Sequence, residues 1–167
     1  MTIACSIPVR PRPAYSAGRP LLVGEANPHS VDPRHALWPT PPGAAGGRLM
    51  RALGMSRGDY LGTFDRANLF IRPPAKWSVA AARARAEELL KRADGAVIVL
   101  LGARVASAFG AAHLAEFTIG PDLSGRQTFA RLPHPSGRCR AWNEEGAEQR
   151  LRSLMDDVLA LADPGRF

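Results

Sequence analysis

The sequence predicts an α/β protein of three layers, with helices on both faces of a central four-stranded parallel sheet. Three observations carry this expectation. Short apolar runs recur at Leu21-Leu22-Val23, Arg66 to Ile71, Ala96 to Leu101 and Gln127 to Leu132, and strands have this length. Stretches with apolar residues at helical spacing separate them. Two polar motifs, Gly24-Glu25-Ala26-Asn27-Pro28-His29-Ser30 and His134-Pro135-Ser136-Gly137-Arg138, each directly follow one of these runs. An open α/β sheet builds its site from such loops, at the carboxyl ends of its strands.

Residues 8 to 20 carry Pro8, Arg10, Pro11, Arg12, Pro13, Gly18, Arg19 and Pro20, so residues 1–20 read as a stiff, basic arm. Such an arm either touches a nucleic-acid backbone or is a frayed terminus. Residues 21–167 read as one domain, because a chain of 167 residues with 46% apolar content suits a single core. After the first strand a long loop runs through Trp38-Pro39-Thr40-Pro41-Pro42-Gly43 to a helix over Ala44 to Leu53, stopped by Gly54. Long ordered loops are usually functional. The second strand is closed by Arg72-Pro73-Pro74. Ser78 then caps a helix that buries Val79, Ala82, Ala86, Leu89 and Leu90 and runs toward Gly95. Ala96 to Leu101 is the clearest buried strand, and it enters a small-residue helix, Ala103 to Phe109, through Gly102. Past the fourth strand and the His134 loop, Asn143 is expected to cap a last helix to about Leu161, with Leu151, Leu154, Met155, Val158, Leu159 and Leu161 as its buried stripe.

The charge is strongly one-sided. The formal net charge is +7, and Lys76 and Lys91 are the only lysines among 22 basic residues. Arginine forks match phosphate oxygens, so a polyanion is one natural partner. An arginine-rich coding bias explains the same excess without any partner. Cys5 and Cys139 are the only cysteines and lie far apart, which excludes a four-cysteine iron–sulfur cluster or zinc knuckle and fits a reducing cytoplasm. No metal and no cofactor are expected. The opening residues are too short and polar for a secretory signal, and there is no bilayer-length apolar run. A cytoplasmic, monomeric protein with no membrane partner is the expectation. The absence of a Gly-x-Gly-x-x-Gly or phosphate-loop lysine motif argues against a nucleotide-processing enzyme on a similar sheet.

The order of motifs from Leu21 to Leu161 resembles that of the uracil-DNA glycosylase superfamily. Gly24-Glu25-Ala26 is similar to the opening of the first motif in its iron–sulfur branch, while Asn27-Pro28 resembles that motif in the mismatch-specific and single-strand-selective branches. His134-Pro135-Ser136 matches the second motif. Asn68 lies in a context like that of the asparagine that reads the base, and Val99-Leu100-Leu101-Gly102-Ala103 is similar to the Leu-Gly strand-to-helix turn. The resemblance implies removal of a base from DNA after the nucleotide is flipped out of the stack.

Breaking an N-glycosidic bond pushes negative charge onto the pyrimidine O2, and a donor aimed there is worth ~3–4 kcal/mol. His134 is the candidate; its plain alternative is a surface histidine in a proline-rich turn. A water must also be aimed at the anomeric carbon. The resemblance assigns this to Glu25 in one register and to Asn27 in the other, with Asn27 preferred and Asp32 as a third candidate. Asn68 can donate to one edge position of the base and accept from the next, or it simply ends its strand. Phe70, Trp38 and His29 are the candidate stacking partners for the base, although Phe70 also suits the core and Trp38 its own loop. Ser136 and Gly137 would hold a neighbouring phosphate. Arg138 stands where the family carries its wedge, and Arg140 and Trp142 extend that surface.

Two departures widen the expected substrate range. The first motif is one residue longer than in most branches, and His29 stands where a tyrosine or glycine usually screens the pyrimidine C5 position. The segment from Val31 to Gly47, with His35 and Trp38, would rim a roomier pocket that accepts C5-substituted pyrimidines as well as uracil. Repair of cellular DNA and defence against phage DNA with modified bases are both consistent with that. A module of the same fold that binds uracil-containing or modified DNA with little turnover is the alternative function.

Overall fold

The carboxyl ends of four parallel strands point to one edge of a five-stranded sheet with the order β2-β1-β3-β5-β4. The structure is a computed structural model that describes Tyr15 and residues 18–93, 95–136 and 139–163. Most of the basic arm therefore lies outside the described residues, as do Cys5, Gly137 and Arg138. The strands are β1 (Leu21–Ala26), β2 (Asp65–Phe70), β3 (Ile98–Leu101), β4 (Thr118–Pro121) and β5 (Thr128–Leu132).

Period-two alternation sorts the apolar residues into two cores. Leu21, Val23, Ala67, Leu69, Ile98, Leu100 and Phe129 face α3 (Val79–Leu90) and α4 (Ala103–Ala108). Leu22, Val99, Leu101, Ala130 and Leu132 face α1 (Ala45–Ala52), α2 (Arg57–Thr63) and α5 (Ala147–Ala162). A parallel sheet needs both faces covered, and the near-continuous apolar sequence of β3 reflects it. On α3, Ala82 and Ala86 are small enough to bring the helix close over its face of the sheet, and Leu89 completes the contact.

Several expectations are corrected. The sheet has five strands, and β4 pairs antiparallel with β5 at the edge. Its Gly120-Pro121 ending weakens the strand pattern in sequence, yet proline is tolerated on an edge. The tight turn after it is organised by Asp122, whose carboxylate accepts from Ser124 Oγ (2.7 Å) and from the Arg126 N–H (2.8 Å). Helix α2 was not expected; it carries two glycines, and its start is marked by Ser56, whose hydroxyl accepts from the Asp59 N–H at 3.1 Å. Asn143 ends a short 3-10 turn (Arg140–Asn143) and does not cap α5. Gly146, left-handed at φ +77°, swings the chain from that turn into the helix. Helix α3 stops at Leu90, well before Gly95. Val79 at 49% exposure and Leu161 at 53% face solvent, not the core.

The long first loop is fastened to α2 by Tyr60 and seated against α1 at Gly46. Tyr60 is buried and donates its hydroxyl to the Leu37 carbonyl at 3.1 Å, holding Leu37 in a left-handed conformation (φ +48°). Burial raises the Tyr60 phenol well above its ordinary range. The same carbonyl rests where a Cβ on Gly46 would stand, only 2.0 Å away. Any side chain there would lift the loop off the helix.

Candidate functional site

From β1 the chain moves outward to β2, then returns to the other side of β1 for β3 and β5. The carboxyl ends of β1 and β3 thus flank the topological switch point, where open α/β sheets form their ligand crevice. Glu25 near the end of β1, Gly102 directly after β3 and His134 after β5 all emerge there.

Gly102 joins these exits. Its N–H donates to the Leu132 carbonyl at 2.8 Å, tying the end of β3 to the end of β5. Its φ of +101° suits glycine, and an added Cβ would stand 3.1 Å from the His134 Cβ. His134 is therefore seated on bare backbone. Its carbonyl accepts from the Ser136 N–H (2.8 Å) and from Trp142 Nε1 (3.0 Å), so its backbone is fixed from two sides. Burial lowers the His134 imidazole below its ordinary value, while the neighbouring Glu25 carboxylate acts in the opposite direction. A neutral imidazole at pH 7 results.

Glu25 belongs to the α4 side of the sheet. Its Oε1 accepts from Arg104 Nη1 at 3.1 Å. The Arg104 guanidinium also lies 5.2 Å over the ring of Trp77, whose edge meets Phe70 at 5.7 Å. Arg104 and Trp77 were not among the residues expected at the site. Arg104 had one signal in sequence, its place just inside the helix that follows the Leu101-Gly102 turn.

A second feature adjoins this crevice along the free edge of β2. It is a cleft of about 260 Å³, and Asn27, Arg34, Arg66, Asn68 and Phe70 are among its lining residues. Asn68 lies opposite Gly24 in the strand register, and a Cβ on Gly24 would come within 2.5 Å of the Asn68 amide. That amide is satisfied when its nitrogen donates to the Ala67 carbonyl (3.1 Å) and its oxygen accepts from the Asn27 N–H (3.3 Å). By strand alternation Asn68 belongs to the face opposite Glu25. About 14 Å of sheet separates the exits of β2 and β5 at ordinary strand spacing.

The first loop engages several candidates internally. Asn27 Nδ2 donates to the His35 carbonyl at 2.8 Å, and its Oδ1 accepts from the His29 N–H at 2.9 Å. Asp32 caps the 3-10 turn Pro33–His35 and forms an ion pair with Arg34 at 2.7 Å. These contacts hold its carboxyl down to about 2, the Arg34 side chain contributing most. His29 is exposed. Trp38 packs against His35 (5.0 Å) and lies beneath the guanidiniums of Arg57 (5.4 Å) and Arg66 (5.2 Å), pinning the loop to β2 and α2. It is not among the residues that line the cleft.

Beside the His134 loop, a groove of about 270 Å³ is lined by Arg48, Arg51, Pro135, Trp142 and Glu148. Ser136 accepts from the Cys139 N–H at 3.1 Å, and Arg140 is exposed at the start of its 3-10 turn. Among the described residues no group of three or more His, Cys, Asp or Glu side chains is arranged to hold a metal ion. Among those residues, too, no helix is long and apolar enough to cross a membrane.

The structure thus brings Glu25, Arg104, Gly102 and His134 together at the switch point, with Asn27, Asn68 and Phe70 in the adjoining cleft. His29 and Trp38 are not among the residues that line the cleft. No model of a known protein family matches this chain, and no curated protein matches its sequence.

Proposed function

We propose that the chain is a monofunctional DNA glycosylase that hydrolyses the N-glycosidic bond of uracil or a C5-substituted pyrimidine and leaves an abasic site. The observation that carries this reading is the seating of His134 on Gly102 at the switch point, with the Glu25 carboxylate beside it. In the proposed reaction the carbon–nitrogen bond breaks first, its electron pair moving into the ring and onto O2. The His134 imidazole donates a hydrogen bond to that oxygen. A water aimed by Glu25 attacks the anomeric carbon and forms the new carbon–oxygen bond, its proton passing to the carboxylate. The base would lie against His134, with the sugar spanning the ends of β1 and β3 and Phe70 bounding it on the cleft side. Asn68, on the opposite face from Glu25 and with its amide engaged by Ala67 and Asn27, does not read the base. Glu25 takes precedence over Asn27 here, because both ends of the Asn27 amide already hold its loop.

The groove beside Pro135, with Arg48 and Arg51, suits the phosphates that flank the flipped nucleotide. The same reaction would serve either repair of cellular DNA or defence against phage DNA with modified bases. One observation favours the alternative of a DNA-recognition module with little turnover: Glu25 is already paired to Arg104 and the Asn27 amide to its loop. The two readings separate in one assay. Duplexes carrying uracil, hydroxymethyluracil or a C5-modified cytosine are incubated with the protein and then heated in alkali. Strand breaks that disappear in His134→Ala support the glycosylase; tight binding with no breaks on any substrate supports the module.

A further inference from the structure

We infer that Arg104 is a positioning residue that orients the Glu25 carboxylate for its water, and that Trp77 and Phe70 brace it from behind. The inference rests on the glycosylase reading and goes beyond it by giving a role to residues outside both sequence motifs. Glu25 leaves β1 with free torsions, and a carboxylate that swings cannot aim a water. Arg104 Nη1 holds one oxygen, Oε1, at 3.1 Å, while Oε2 carries no hydrogen bond among the described residues. The held oxygen fixes the plane of the carboxylate and leaves the other for solvent.

An arginine at 61% exposure is a poor clamp by itself, because its long side chain is disordered in water and its charge is screened. Here the guanidinium has a second contact. It lies 5.2 Å over the Trp77 ring, a cation–π arrangement that restricts it to one side of the crevice. Trp77 is in turn held edge-on by Phe70 at 5.7 Å, and Phe70 is paired with Ala26 in the strand register. The chain of contacts therefore starts and ends on β1, one residue apart. It also joins the cleft, where Phe70 lies, to the crevice, where Glu25 lies. A base that displaces Phe70 would be felt at the carboxylate through Trp77 and Arg104.

The test compares Arg104→Gln, Arg104→Lys, Trp77→Leu and Trp77→Phe with the wild type in single-turnover base release at saturating DNA, alongside DNA affinity and thermal midpoint. Arg104→Gln is expected to slow release about 100-fold, the typical cost of misplacing a reacting group by an ångström. Its dissociation constant should stay within about threefold of wild type, because the loss falls on the rate and not on binding. Thermal midpoints should move by no more than about 2 °C, as expected for an exposed pair. Arg104→Lys should recover part of the rate, and Trp77→Phe should retain far more than Trp77→Leu. Unchanged rates in Arg104→Gln, or a loss confined to affinity, would overturn the inference while leaving the glycosylase reading intact. A wild-type protein that releases no base from any substrate would overturn both.

Discussion

His134 owes its properties to what lies beneath and beside it. Gly102 supplies bare backbone to pack on, Trp142 fixes the carbonyl, and burial keeps the ring neutral against the pull of Glu25. Removal of this donor should lower the rate of base release about 100- to 1000-fold, measured in single turnover with His134→Ala. The electrostatics give a second prediction. Because Glu25 raises the imidazole and burial lowers it more, Glu25→Gln should move the His134 midpoint further down, read by NMR titration; an upward movement would contradict the assignment. The linked effect on stability has a definite sign. A histidine depressed by folding contributes stability above its unfolded value of about 6.5, and loses it as pH falls through the lower folded value. Residues carried by local motifs, Glu25, Asn68 and His134, were legible in sequence as candidates. Arg104 was not, since its partner stands 79 positions away. Nor was the engagement of the Asn27 amide by the His35 carbonyl, because loop closure is invisible until the chain turns back on itself.

The elements hold the site through close approaches. Gly102→Ala forces a side chain into a strained conformation against His134, and should cost roughly 1–3 kcal/mol of stability, read by chemical denaturation. It should also shift the His134 ring signals, which a distant destabilising change would leave in place. The buried strands were readable because their apolar runs are long enough to declare themselves, and β3 with its Ile98-Val99-Leu100-Leu101 is the plainest case. Strand β4 was not readable: four residues ending in Gly120-Pro121 gain their structure from the ladder with β5 and not from their own preference. Helix α2 is similar, because Gly58 and Gly62 lower its propensity and Tyr60 supplies the packing that forms it.

At the scale of the whole molecule, the parallel sheet with helices on both faces followed from the alternation of strands and helices along the chain. Its edge strand and the sorting of Glu25 and Asn68 to opposite faces required the observed register. The charge of +7 becomes informative through its location. Arg48 and Arg51 line a groove beside Pro135 of the His134 loop. If they contact phosphates, the double variant Arg48→Ala, Arg51→Ala should flatten the salt dependence of DNA binding by about two units of slope, roughly one per lost contact. An unchanged slope would assign the arginine excess to coding composition.

The central claim concerns one bond, and isotope labelling reads it directly. A duplex with uracil or a C5-substituted pyrimidine is incubated in water enriched in oxygen-18, and both products are analysed by mass spectrometry. The account predicts free, unlabelled base together with one heavy oxygen on the anomeric carbon of the abasic sugar, both lost in His134→Ala. Recovery of the intact nucleotide from every substrate, however tightly the protein holds it, would contradict the account.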